Sequence, residues 1–275
     1  MEKYKIAVLL TCFNRKQKTL ACLDNLWLTV PENVSMEVFL VDDGSTDGTG
    51  DAVREKFPQV HVIQGTGSLY WNRGMHLAWK TATHTAQYDY YVLLNDDSFL
   101  YPNALEELVE CAIERNDSVV VCAAFCGEQS RNYTYGGRDK AGNPIIPNGE
   151  VQSCFHINGN CLLVPKKIYD KVGNLDPIFP HAIGDFDYGQ RALAKGFELV
   201  TTKRYLGTCE SNDYLPKWCY GHVPLKERIK ALYSPLGNSH PKYYFIYTKR
   251  HFGLFLALKH FFSIHLRLLI PGLWK

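Results

Sequence analysis

Apolar runs and amphipathic stretches alternate through the first half of the chain. "YKIAVLLTCF", residues 4–13, is a continuous apolar run with β-branched content, the pattern of a strand covered on both faces. Residues 16–28, "KQKTLACLDNLWL", place Leu20, Leu23 and Trp27 on one helical face. A second strand, "MEVFLVDDG", stops at Asp42-Asp43-Gly44, and "STDGTGDAVREKF" then supplies cap-type residues and a short helix. "VHVIQ" reads as a third strand, "GTGSLYWNRG" as a loop and "MHLAWKTATHTA" as a helix. "DYYVLLNDD" is a fourth strand, "NALEELVECAIERN" an amphipathic helix and "SVVVCAAF" a fifth strand.

This βαβαβαβ pattern predicts an α/β fold: a largely parallel sheet with helices on both faces. Right-handed crossovers put the strand C-terminal ends along one edge, where ligands bind in such sheets. Thr11 to Arg15, Asp42-Asp43, the Gly65–Gly74 loop and Asn95-Asp96-Asp97 all fall at that edge. The second half is less regular. "NYTYGGRDKAGNPIIPNGE" reads as a hairpin or long loop, "GNCLLVPKKIYDKVG" as a strand and short helix, and "GDFDYGQRALAKGFELV" as a loop, helix and strand. No linker separates the halves, so the second completes the same domain.

Composition narrows the class. Of 275 residues, 46% are hydrophobic and 21% charged, which describes a globular chain with a substantial core and excludes collagen-like or disordered classes. The net charge of +2 gives no general coat for nucleic acid. From Lys242 to Lys275, however, there are six Lys or Arg and no acid, leaving 24 basic and 28 acidic residues elsewhere. An acidic body thus carries a basic, aromatic tail. The tail has no charge-free run of about 18 residues, which disfavours a spanning helix and suits one lying at a membrane surface; packing on the rest of the chain or on a second subunit is the other reading. The N-terminus has too short an apolar run for a signal peptide. Nine cysteines without a CxxC pair, mostly set among apolar residues, point to a reduced cytosolic protein.

Four acidic or polar clusters can carry chemistry. Adjacent carboxylates such as Asp96 and Asp97 repel and need partners, either water at a turn or something positive; a hard divalent cation prefers such oxygen ligands. Asp42 and Asp43 end a strand where an acid can accept hydrogen bonds from a nucleoside, although "DDGSTDGT" is equally rich in turn formers. Trp71, Asn72 and Arg73 can contact a sugar or diphosphate, with Arg73 as a solvated charge the plainer reading. Asp185 and Asp187 stand at a helix mouth, either as caps or as a general base with a positioning carboxylate.

Six stretches, in order over roughly residues 5–215, resemble inverting family 2 glycosyltransferases of the GT-A fold: "IAVLLTCFNR", "VFLVDDGSTDGT", "GSLYWNRGMHLAW", "YYVLLNDDSFLYPNAL", "GNCLLVPKKIYDKVGNLD" and "GDFDYGQRALAKGF". The resemblance extends to the rhamnosyltransferase-like and galactofuranosyltransferase-like branches. It implies a GT-A domain over 1–235, with a nucleotide-sugar half (1–100) and an acceptor half (101–235), followed by a helical tail (236–275). Thr11, Phe13 and Arg15 would serve the donor, Phe13 by stacking on the base; Asp43 would bond the base with Asp42 close by. Trp71, Asn72, Arg73, Asn95 and Asp96 would complete donor binding. Asp97 would hold Mn²⁺ or Mg²⁺, Asp185 would be the general base and Asp187 would orient the acceptor. The implied activity is sugar transfer from a UDP- or dTDP-sugar to a lipid-linked or surface-polysaccharide acceptor, at the inner face of the plasma membrane. Two departures stand out. Gly184 occupies the place of the family's "ED" glutamate, and Cys209 stands roughly where many relatives carry a metal-binding His, either as a soft metal ligand or, the plainer reading, as a buried spectator with His181 and His222 as substitutes. A catalytically silent nucleotide-sugar-binding protein and a sugar-nucleotide nucleotidyltransferase are the rival readings, the latter lacking its glycine-rich first loop.

Overall fold

The computed structural model describes residues 4–211 and 214–274. Its first half runs β1 (Tyr4–Cys12), α1 (Lys16–Leu28), β2 (Val34–Asp42), α2 (Thr49–Lys56), β3 (His61–Gln64), α3 (Tyr70–Thr85), β4 (Tyr90–Leu94). There follow β5 (Phe99–Leu100), α4 (Ala104–Ile113), β6 (Val119–Cys126), β7 (Tyr133–Tyr135), β8 (Gln152–Cys154), β9 (Cys161–Pro165), α5 (Lys166–Val172), α6 (Gly184–Ala194) and β10 (Glu198–Thr208). The C-terminal part is helical: α7 (Leu225–Leu232), α8 (Pro241–Phe252) and α9 (Leu254–Leu269).

Side chains alternate across a strand, so the continuous apolar run of β1 feeds two cores. Ile6, Val8 and Leu10 join the residues of α1, α2 and α4 on one face of the sheet. Ala7 and Leu9 join Met75, Ala78 and Trp79 of α3, with Ile168 of α5 and Tyr188 of α6, on the other. The result is a mixed α/β fold with helices on both faces of one sheet, as the pattern predicts. Trp79 is fully buried among Tyr91, Tyr169 and Tyr188, and truncating such a side chain costs about 3–5 kcal/mol.

The sheet order is β3-β2-β1-β4-β9-β6-β10-β5. The first four of these strands are mutually parallel, as expected. β9 departs from the expectation: it runs antiparallel to both β4 and β6, so the sheet is mixed. An apolar run carries no direction, which is why periodicity alone does not show this. The reversal has a consequence for the site. β9 presents its N-terminal end, not its C-terminal end, at the edge where β1, β2 and β4 finish, with Cys161 opposite Leu94. Two further differences matter. α3 begins at Tyr70, so Trp71 to Arg73 form its first turn and not a loop. The chain after Asp97 makes the short strand β5 before its helix, and β5 pairs with Gly207 and Thr208 of β10. That pairing brings Cys209 towards the tip of β4.

Candidate active site

The tip of β4 is tied on both sides. Asn95 donates its backbone N–H to the Asn160 carbonyl (2.9 Å) and accepts the Trp71 indole N–H at Oδ1 (2.7 Å). A Cβ on residue 159 would overlap the Trp71 ring, so the indole in this position requires glycine there.

Arg15 answers the repulsion between the adjacent acids. One guanidinium nitrogen lies 2.9 Å from Asp96 Oδ1 and the other 2.6 Å from Asp97 Oδ2, a fork bridging two carboxylates. Asp96 is buried, also accepts from the Thr19 hydroxyl (3.0 Å), and has its pKa pushed up to about 6 by desolvation despite Arg15. Asp97 is one-third exposed (32%).

Three cavities meet at Asn95. The first, about 390 Å³, is lined by Thr11, Phe13, Arg15, Asp43, Trp71 and both acids of the β4 tip. The second, about 470 Å³, holds Asp97, Arg15, Asn160 and Cys209. The third, about 370 Å³, holds Asp185, Gly159, Arg138, Tyr135 and Trp71. Phe13 is half exposed (51%) at the first, open for a base to stack on. Asp43 lines it with its carboxylate occupied, accepting from the Gly67, Leu69 and Tyr70 backbone N–H groups at 2.9 Å each. It caps the segment entering α3.

Asp185 lies in the first turn of α6. Its oxygens accept the backbone N–H groups of Gly159 (2.8 Å) and Phe186 (2.9 Å), and desolvation pushes its pKa up to about 6. Among the described residues no cation pairs with it. The other expected positions serve the scaffold. Asp42 is buried and caps Ser45 (2.9 Å). Asn72, fully buried, donates to the carbonyls of Asp176 and Phe179 at 2.8 Å each, and Arg73 donates to that of Pro177 (2.8 Å). None of these three lines the cavities, in contrast to the donor contacts expected of them. Asp187, expected to orient the acceptor, is fully buried beneath Arg191 (2.8 Å), Arg250 (2.7 Å) and His251 (2.8 Å), fastening α8 to α6. Asn72 also accounts for Gly184: a Cβ at 184 would overlap the Asn72 Oδ1. A glutamate has no room there while Asn72 is in place.

Cys209 stands near Asp97 but as a thiol. It accepts from the Asn160 amide (3.2 Å), and burial, with the Asp97 charge adding, raises its pKa to about 11. His181 reaches two of the three cavities and accepts from the Trp71 N–H (3.3 Å); His222 reaches none of them. Among the described residues no three His, Cys, Asp or Glu side chains group closely enough to hold a metal by themselves. That donor set still suits Mn²⁺ or Mg²⁺, which take one or two carboxylates and complete their shell with phosphate oxygens and water.

The glycosyl transferase family 2 model matches residues 7–173, more than half of the chain. The chain belongs to glycosyl transferase family 2. The family match covers the β4 tip and Gly159, and stops before Asp185. A curated relative, glycosyltransferase GlyA of Streptococcus pneumoniae, is 23% identical over 178 residues; the match covers 64% of this chain and 22% of that protein, so the chain spans about a fifth of its length. Among solved structures, the mannosyltransferase PcManGT from Pyrobaculum calidifontis, in complex with GDP-Man and Mn²⁺, superposes with a TM-score of 0.57 at 16% identity, over 96% of this chain and 74% of that one. S. aureus TarS 1–349 in complex with UDP-GlcNAc superposes with a TM-score of 0.58 at 15% identity, over 90% and 72%. The family 2 chain shares the GT-A fold with these glycosyltransferases.

Several site residues carry no individual signal in the pattern. Asn160, Gly159, Tyr135 and Arg138 enter only because β9 is reversed and the segment after β7 folds over the edge. The available hint is "NGN" at 158–160, polar and small immediately before a fully apolar strand.

Proposed function

We propose that this chain transfers a sugar from a nucleotide-sugar donor to an acceptor hydroxyl by single displacement with inversion. The observation that carries the reading is the separation of two carboxylates: Asp97 and Asp185 line different cavities that meet at Asn95. The donor class is supported by the nucleotide sugars in the neighbouring structures, and the branch resemblance favours a UDP- or dTDP-sugar. A lipid-linked or surface-polysaccharide precursor is the acceptor class that follows.

In this reading the base of the donor lies over Phe13, and Arg15 leaves the acid pair to meet the diphosphate. Asp97 would hold a divalent cation, whose charge would offset that of the leaving diphosphate. Asp185 takes the proton of the acceptor hydroxyl. Its raised pKa makes it a better base than a solvated aspartate while leaving it ionised at neutral pH. The Gly159 and Phe186 N–H groups hold the carboxylate in place. No side-chain nucleophile is needed. A thermal-shift screen of UDP, dTDP and GDP with Mn²⁺ tests the donor class, because a ligand raises the melting temperature by mass action. Stabilisation by a nucleoside diphosphate only with Mn²⁺, lost in Asp97→Asn, supports the reading; no shift with any of them rejects it.

A further inference from the structure

The C-terminal helices expose more apolar surface than a helix covering a core leaves open. Along α9, Ala257, Ile264 and Leu268 are buried against the rest of the chain. On the opposite face, Phe255, Leu258, Phe262, Leu266 and Leu269 recur every three or four residues and are all exposed, Phe255 at 84% and Phe262 at 66%. Beside it α7, joined to α9 by Arg228 donating to the Leu268 carbonyl (2.6 Å) and by Tyr233 with His265 (2.8 Å), exposes Leu225 and Ile229. A stripe of this extent on one side of a helix pair is beyond the scattered apolar residues of ordinary surfaces.

Charge selects the occupant. Residues 214–274 carry nine Lys or Arg and one acid, Glu227. Arg250 is spent on Asp187 and Asp176, Arg228 on a carbonyl, and Arg267 lies over the Trp274 ring. Lys226, Lys230, Lys249 and Lys259 are exposed and, among the described residues, form no ion pair, and Lys242 is exposed beside the Tyr243 ring. No helix of the described residues is long and apolar enough to cross a bilayer. Two copies of this chain meeting face to face would set these lysines against one another, whereas an anionic lipid surface takes both the apolar face and the lysines.

We infer that the α7–α9 face docks the protein on an anionic phospholipid surface. Phe255 and Phe262 enter the headgroup–acyl boundary, and Lys226, Lys230 and Lys259 of α7 and α9 meet the lipid phosphates. The docking helices are continuous with the site: Leu236 and Asn238, between α7 and α8, line the cavities of Asp97 and Asp185 respectively, and α8 is fastened two residues from Asp185. Vesicle binding is read without turnover, so its outcome is independent of the sugar-transfer reading.

The test is co-sedimentation of the full chain with phosphatidylcholine vesicles, with and without about 30 mol% phosphatidylglycerol, alongside sedimentation velocity without lipid. Binding at least about ten-fold tighter to the anionic vesicles, weakened by salt, is expected. The double variant Phe255→Glu, Phe262→Glu should lose that binding with an unchanged melting temperature, since both side chains are exposed. Lys226→Gln with Lys230→Gln and Lys259→Gln should remove the preference for anionic lipid alone. Equal weak binding to both vesicle types, or wild-type binding by the Phe double variant, overturns the inference. So does a lipid-free dimer that the Phe double variant converts to monomer, which would assign the face to a second copy.

Discussion

Two acid pairs, Asp96/Asp97 at the tip of β4 and Asp185/Asp187 at the mouth of α6, look alike in sequence and end in opposite electrostatic states. In each pair one member is buried and the other is partly exposed in a cavity. At β4 a single arginine forks across both, so the cavity-facing Asp97 keeps a cation at 2.6 Å. At α6 three basic side chains converge on the buried Asp187, and the cavity-facing Asp185 is left with backbone N–H groups only. The difference fits the two roles proposed above. A paired carboxylate can exchange one cation for another, as metal and diphosphate binding demands. A carboxylate without a cation, partly desolvated, is a base.

The largest way to break this comparison is Asp185→Asn. A positioned base contributes about 10²–10⁴-fold, so sugar transfer should fall by that factor while the donor-dependent thermal shift survives. Turnover within a few-fold of wild type would remove Asp185 from the proposed role. Next comes Asp187→Asn, which leaves Arg191 and Arg250 without their shared anion. Losing one partner of a buried ion pair costs about 3–5 kcal/mol, to be seen in denaturant unfolding, and α8 should become the first region to exchange its amide hydrogens. An unchanged midpoint would mean that the clamp contributes nothing.

Gly184→Ala probes the same helix mouth from the packing side. The added methyl meets the Asn72 amide, and overpacking of this kind costs about 1–3 kcal/mol. Asn72→Ala in the same chain should recover much of that loss, a coupling measurable in a double-mutant cycle. Additive effects would show that Asn72 does not dictate the glycine.

The finest prediction concerns pH. The Asp185 pKa lies at about 6, above the ordinary 3.8. As a base it works ionised, so the rate should rise with pH through about 6 and then level off. For stability the sign is the reverse. Its favourable contribution is complete below pH 3.8 and is lost as pH rises through 6, because the fold prefers the protonated form. Asp185→Asn should therefore gain up to about 2 kcal/mol of stability above pH 6 while losing activity, and show no gain near pH 4. An acid limb far from 6, or a variant no more stable at pH 8 than at pH 4, would contradict the desolvated environment.

Much of this could be read from residue order. The runs at β1, β2 and β4, and the acids that end them, follow from period and burial alone, because a strand covered on both faces leaves no polar position until its tip. Phe13 and Asp97 lie where that logic puts them. Asn72, Arg73 and Asp187 do not: each is polar at the right edge, but it is turned away from the cavities by partners more than 60 residues away, while Asp42 is spent locally on Ser45. Arg15 is a third case. It was expected at the donor, and its pairing with both acids is visible only once α1 is packed beside the β4 tip.

Residue order settled the layered α/β architecture, the acidic sheet edge and the basic, aromatic C-terminus, since these depend on local period and on charge counted along the chain. Folding alone assigned the partners. The reversed β9 carried Gly159 to Asp185, the β5–β10 pairing carried Cys209 to Asp97, and α8 carried Arg250 and His251 to Asp187. The physical cause is the same in each case: a carboxylate's charge state is set by the dielectric and the cations within a few ångströms of it, and those are supplied by distant segments of chain.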